Sequence, residues 1–193
     1  MSMFDRVLAV TNRKLCQGDF LTQVERIAAA HPRGLVLREK DLSEADYQAL
    51  AAQVLPVCAA HGVPCMLHRF DRVARALGCT RIHLPLPYLT AHPEAAAGFG
   101  VVGVSVHSVS EAEQAVRCGA TYLTAGHVFP TDCKKGVPAR GLDFLRAVCR
   151  AVPIPVYAIG GITPENAASC LSAGAAGVAV MSGVMNHLSD WNL

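Results

Sequence analysis

Eight short apolar runs alternate with helical patterns from one end of the chain to the other, at 7–10, 34–37, 64–67, 81–84, 101–105, 122–125, 155–159 and 177–181. Most are apolar at successive positions, as strands covered on both faces of a parallel sheet must be. The stretches 19–30, 43–60, 71–77, 110–117, 142–151 and 164–172 read as helices between them. Ser43 followed by Asp46, Ser110 followed by Glu113, and Thr163 with Pro164 next are their N-terminal signals. Strand and helix in alternation build βαβ units, and eight such units predict an α/β fold closed into a (β/α)8 TIM barrel. A doubly wound open sheet shares the alternation, but its G-x-G-x-x-G fingerprint is missing after the first run, where Thr11-Asn12-Arg13-Lys14 stand instead.

The barrel must be compact. Spread over eight units, 193 residues leave about 24 each, so several helices are minimal. Pro85, Pro87 and Pro93 restrict the fourth helix to little more than a turn, and the twelve residues after Met181 leave the eighth stunted. One barrel domain over 1–193 is expected, with no linker and no second domain. The 17 Lys and Arg are nearly balanced by 15 Asp and Glu, without blocks of one sign. That excludes the basic stripe needed by nucleic acid or an anionic membrane and points to a small-molecule partner. The eight cysteines form no C-x-x-C pair and lie mostly in apolar segments. Together with an N-terminus lacking the features of a secretory signal, this fits a reducing cytoplasm.

In such a barrel the chemistry sits at the C-terminal ends of the strands. Gly160-Gly161 before Thr163-Pro164, and Ser182-Gly183 after the eighth run, offer backbone N–H groups to a phosphate. On that reading, valine at Gly161 would obstruct the anion while leaving His127 in place. Arg38 and Lys40, alternate residues leaving the second strand, and Lys134 suit the anionic ends of a substrate, whereas Lys135 reads as solvated. His31, His61, His92 and His187 lie in connecting or polar segments and also read as solvated. His68, His83, His107 and His127 stand at strand ends, and His127 follows Gly126, which leaves an imidazole room beside a ligand. Histidine suits a reaction that moves protons. The loops after the third and fourth strands hold His68-Arg69-Phe70 and Pro85-Leu86-Pro87-Tyr88, with no carboxylate for Mg²⁺, and no zinc or iron spacing occurs. No metal or other cofactor is expected.

Several motifs at these positions resemble the thiamine-phosphate synthase/TenI superfamily across nearly the whole chain. They are Leu37-Arg38-Glu39-Lys40, Gly103-Val104-Ser105-Val106-His107-Ser108, Ala158-Ile159-Gly160-Gly161-Ile162-Thr163-Pro164 and Gly177-Val178-Ala179-Val180-Met181-Ser182-Gly183. The segment Gly126-His127-Val128-Phe129, continued by Thr131-Asp132-Cys133-Lys134-Lys135-Gly136, is closest to the thiazole tautomerase, TenI, branch. The resemblance implies a (β/α)8 barrel acting in thiamine biosynthesis. Its synthase branch holds Mg²⁺ with an Asn-Asp pair after strand three and an Asp after strand four, positions filled here by His68-Arg69 and by the segment ending in Tyr88. Its tautomerase branch, which usually carries Asn-Gly where His68-Arg69 stand here, aromatises a thiazole carboxylate phosphate without metal. His127 then corresponds to the acid/base residue. Substrate contacts are expected at Arg38, Lys40, Ser105, Lys134, Gly160, Gly161, Met181, Ser182 and Gly183. A metal-independent thiazole tautomerase binding a phosphorylated thiazole is the first expectation. A thiamine-phosphate synthase with an altered metal site and a non-catalytic, precursor-binding regulatory protein are the alternatives. The resemblance leaves room for a homo-oligomer.

Overall fold

The computed structural model describes residues 3–134 and 136–191. Its strands are β1 (Val7–Val10), β2 (Gly34–Leu37), β3 (Cys65–His68), β4 (Arg81–Pro85), β5 (Val101–Val106), β6 (Tyr122–Gly126), β7 (Val156–Ile159) and β8 (Gly177–Val180). They run in the order β1 to β8 as a closed barrel. The registers are parallel, with Leu8 opposite Gly34, Leu35 opposite Cys65, Gly103 opposite Tyr122, Leu123 opposite Val156 and Tyr157 opposite Gly177. Every residue of β1, β2, β3, β6 and β8 is buried, the physical counterpart of their largely apolar sequence, with His68 and Thr124 the polar residues buried among them.

The helices are α1 (Phe20–Ala29), α2 (Glu44–Ala60), α3 (Asp71–Ala76), α4 (Leu86–Ala91), α5 (Val109–Arg117), α6 (Gly141–Ala151), α7 (Pro164–Ser172) and α8 (Ser182–Asn186). The Ser43 hydroxyl accepts the Asp46 amide at 3.1 Å, and Asn166 reaches back to the Thr163 amide at 2.9 Å, so two of the expected starts are built as read. The third is corrected. Ser108, not Ser110, caps α5, accepting the Glu111 amide at 3.1 Å, while the Glu111 carboxylate accepts the His107 amide at 2.6 Å. Both serines precede a glutamate by three residues. Ser108 holds the extended backbone a cap needs, whereas Ser110 already lies inside the helix.

The chain packs as two compact units, Met1–Ile82 with Val180–Leu193, and His83–Ala179. In the first, the fully buried Tyr47 of α2 donates from its hydroxyl to the Leu37 carbonyl at 2.6 Å and accepts the His68 amide at 2.7 Å. One phenol thus joins the ends of β2 and β3, and its burial pushes its ionisation well above the ordinary tyrosine value. Tyr47→Phe is expected to cost about 1–3 kcal/mol, because two buried backbone groups lose that partner, and the denaturant midpoint measures it. The truncated α8 gives way to a short turn, Leu188–Trp191, that buries Trp191 with its ring centroid 6.2 Å from that of Phe4. In the second unit, Leu123, Leu145, Val104 and Ala158 pack the strands against their helices with no exposed surface. Among the described residues, no helix is long and apolar enough to cross a membrane.

Candidate active site

The strand exits of the first unit are organised around a buried carboxylate. Glu39, just beyond β2, accepts from the Thr11 hydroxyl at 2.7 Å, from the Arg13 amide at 3.0 and 3.1 Å, and from the Arg13 guanidinium at 3.3 Å. The same guanidinium forks onto Asp41 at 2.7 and 2.8 Å, and Lys14 reaches Asp41 at 3.0 Å. Arg13, with Lys14, holds the Asp41 carboxyl well below the usual carboxylate range. Thr11 also accepts the Arg38 amide at 3.0 Å, so the exit of β1 fixes the exit of β2. Glu39 is buried by this network while Arg38 is half-buried and Lys40 exposed, as alternation along a strand end requires. Arg38 Nη1 lies 3.8 Å from the Met181 sulfur, bringing two of the expected substrate contacts together. Ser182 is exposed at the start of α8, and a side chain at Gly183 would press within 3.1 Å of the Trp191 indole nitrogen.

In the second unit, Ser105 belongs to a chain of hydrogen bonds. Its hydroxyl accepts from Thr124 at 3.1 Å and lies 2.8 Å from His83 Nε2, whose Nδ1 is 2.9 Å from the Tyr122 hydroxyl. Gly103 makes room for this stack, since a Cβ there would collide with both Tyr122 and His83. His107, at the exit of β5, donates from Nδ1 to the Gly126 carbonyl at 2.8 Å.

His127, next in the chain, is 4 % exposed. Its Nε2 lies 3.2 Å from the Val137 carbonyl. A carbonyl only accepts, so Nε2 carries the proton and the lone pair of the neutral ring is on Nδ1. Nδ1 is buried and has no hydrogen-bond partner among the described residues. A buried, unpaired basic nitrogen is costly unless something uses it. Lys134 is exposed in the turn Asp132–Lys134, and Lys135 lies outside the described residues.

The glycines after β7 do more than face an anion. Gly160 has φ +98°, and a Cβ on it would overlap the Cβ and Cα of His127. Gly161 has φ +65°, and a Cβ on it would meet the Pro130 carbonyl and Phe129. The loop carrying His127 is laid against this turn, with Val128 donating to the Ile159 carbonyl at 2.9 Å and Phe129 to that of Gly160 at 3.0 Å. A valine at Gly161 therefore presses on the His127 loop, and the expectation that it would leave His127 undisturbed is withdrawn. Glu39, Thr11 and Val137 were not singled out from the sequence. The first two could have been noticed as polar residues ending apolar strands, whereas Val137 acts through its backbone and leaves no sequence signal.

Eight parallel strands in a closed ring, each followed by a helix, with histidines and a paired-glycine turn at the strand ends, define a (β/α)8 barrel. The family model described as thiamine monophosphate synthase matches residues 7–184, and the chain belongs to that family. It is 37% identical over 183 residues to the thiamine-phosphate synthase of Roseiflexus castenholzii, covering 93% of this chain and 80% of that one. It is 34% identical over 186 residues to the thiamine-phosphate synthase of Coprothermobacter proteolyticus, covering 94% and 88%. Among solved structures, the thiamine phosphate pyrophosphorylase from Pyrococcus furiosus superposes with a TM-score of 0.81 at 26% identity, covering 99% of this chain and 92% of that one.

The Mg²⁺ positions implied by the synthase resemblance fall at the exits of β3 and β4, and the residues there do not fit the ion. His68 and the cationic Arg69 leave β3, with the Arg69 guanidinium over the Phe70 ring. Pro85 leads straight into α4, whose Leu86 and Leu89 are buried. Asp71, the next carboxylate, starts α3 and lies 3.9 Å from Arg75. A hard divalent cation needs oxygen donors where these segments supply imidazole, guanidinium and hydrocarbon.

Proposed function

We propose that this chain is a thiazole tautomerase of thiamine biosynthesis, isomerising an unaromatised thiazole carboxylate phosphate to its aromatic form without a metal ion. The observation that carries the reading is His127 Nδ1, a buried nitrogen with a free lone pair on a ring whose other nitrogen is tied to Val137. In the proposed step Nδ1 takes the proton from the ring carbon bearing the carboxylate, and the electron pair left behind moves through the ring to the exocyclic alkene. The imidazolium then returns the proton to the exocyclic carbon, so atoms and charge balance without a co-reactant. Aromatisation drives the equilibrium, and the protein supplies a positioned base and cationic or N–H partners for an anionic substrate. Arg38, Lys40, Ser105, Lys134, Met181 and the turns at Gly160-Gly161 and Ser182-Gly183 are proposed to hold that substrate. The TenI-like segment beginning Gly126-His127 supports the same branch.

A second reading, thiamine-phosphate synthase with an altered metal site, is favoured by the names of the curated relatives. One experiment separates the two. The protein is incubated with the unaromatised thiazole phosphate and aromatisation is followed by ultraviolet absorbance, with and without EDTA. The tautomerase reading expects turnover that the chelator leaves unchanged. Formation of thiamine phosphate from the pyrimidine diphosphate and thiazole phosphate, lost in EDTA and restored by Mg²⁺, would establish the synthase instead. Binding without turnover in either assay would establish a precursor-binding protein.

A further inference from the structure

We infer that Arg69 is the residue that recognises the carboxylate of the substrate, an assignment that rests on the tautomerase reading and deepens it. Arg69 has φ +72°. The Phe70 amide donates to the His68 carbonyl across it at 2.9 Å, so Arg69 is the central residue of a tight left-handed turn of three residues. Turns of that hand are rare and strained for any residue with a Cβ, and arginine lacks the short polar side chain that lets asparagine or aspartate tolerate the region. Such strain persists where the surroundings enforce it, and it concentrates where ligands are held.

The surroundings do enforce it. The Arg69 guanidinium carbon sits 5.3 Å from the Phe70 ring centroid, and that ring is 4.9 Å from the ring of Tyr47. Tyr47 is itself locked by its bonds to Leu37 and His68. The charge is therefore stacked on a rigid aromatic pair that also fixes the last residue of β2, immediately before Arg38. Among the described residues no carboxylate pairs with the Arg69 guanidinium, and an exposed stack on one phenyl ring does not repay the strained turn. The residue stands at the C-terminal end of a barrel strand, the end at which barrels take ligands.

A planar, preorganised fork of N–H donors is the chemical complement of a carboxylate. The proposed reaction removes a proton from the carbon that bears such a group, and a guanidinium on the carboxylate stabilises the negative charge that develops there. The exit of β3 thereby carries a fixed protein cation where the synthase resemblance implies a metal.

The test uses calorimetric titration of the wild type, Arg69→Ala and Arg69→Gly with two probes. One is the aromatic thiazole carboxylate phosphate and the other is the thiazole phosphate lacking the carboxylate. The wild type is expected to prefer the carboxylated probe, and both variants to lose that preference by about tenfold or more while binding the other probe as before. Arg69→Gly is also expected to melt about 2–4 °C above Arg69→Ala, since glycine relaxes in the left-handed turn. If both variants keep the wild-type preference while the unaromatised substrate is still turned over, the Arg69 assignment is overturned and the tautomerase reading stands. If the wild type neither binds the probes nor turns over that substrate, both fall.

Discussion

His127→Asn lowers the turnover of unaromatised thiazole phosphate by at least about two orders of magnitude, the span that a positioned acid/base group typically contributes. Asparagine is polar, and its side-chain amide overlays the Nδ1 edge of the imidazole, although it stops short of the Val137 carbonyl that now holds Nε2. What it lacks is a basic nitrogen in place of Nδ1, the atom without a partner. The variant should therefore keep the melting temperature to within a few degrees and keep its affinity for the aromatic product, so that the loss falls on kcat and not on KM. Single-turnover absorbance traces, corrected for spontaneous isomerisation, measure the effect. Near-normal kcat in a folded His127→Asn protein would remove His127 as the base. His107 would not simply inherit the role, because its Nδ1 is donated to the Gly126 carbonyl and only Nε2 could serve.

The barrel was legible because burial on both faces leaves a plain mark, a run of apolar residues with no alternation. All eight runs, most of them of that kind, became strands with ends within one residue of expectation. The start of α5 was misplaced for a local reason. Two overlapping serine–glutamate spacings satisfy the same rule, and only the extended backbone of Ser108 at the strand exit decides between them. At the site, His127 could be singled out as a candidate because it follows Gly126 in a family-like segment, but its hydrogen-bonded state could not be read. The nitrogen that carries the proton is chosen by the carbonyl of Val137, ten residues on, and a carbonyl is the same for every residue type. Arg69 was visible as a departure from the family pattern. Its left-handed turn was not, since nothing in arginine's sequence context announces φ +72°. His61 read as solvated, yet it is half-buried and lies 2.5 Å from Glu25 of α1, a contact between neighbouring helices that no local pattern encodes.

Gly160→Ala is expected to destabilise the fold by about 2–4 kcal/mol and to depress turnover together with it, although no catalytic atom is removed. Two costs combine. At φ +98° any Cβ is strained, and this Cβ is directed at the Cβ and Cα of His127, which belong to the backbone side of the loop and have no flexible end to yield. The loop is further pinned by the bonds from Val128 to Ile159 and from Phe129 to Gly160, so relief requires moving the turn or moving the imidazole. Gly119→Ala separates the two costs. Gly119 has φ +90°, but a Cβ there meets nothing within 4 Å, so it carries the backbone penalty alone. It should lose about 1 kcal/mol and keep full turnover. Thermal melts and kcat for both variants decide the matter. Should Gly160→Ala melt with Gly119→Ala and turn over like the wild type, the contact between Gly160 and His127 does not position the base. A fall in stability and kcat together, with Gly119→Ala spared in kcat, places the paired-glycine turn after β7 beneath the imidazole as its support. In that case any role of the same turn in holding phosphate must operate through backbone N–H groups while its Cα hydrogens face the loop, a division of labour that only glycine permits at this position.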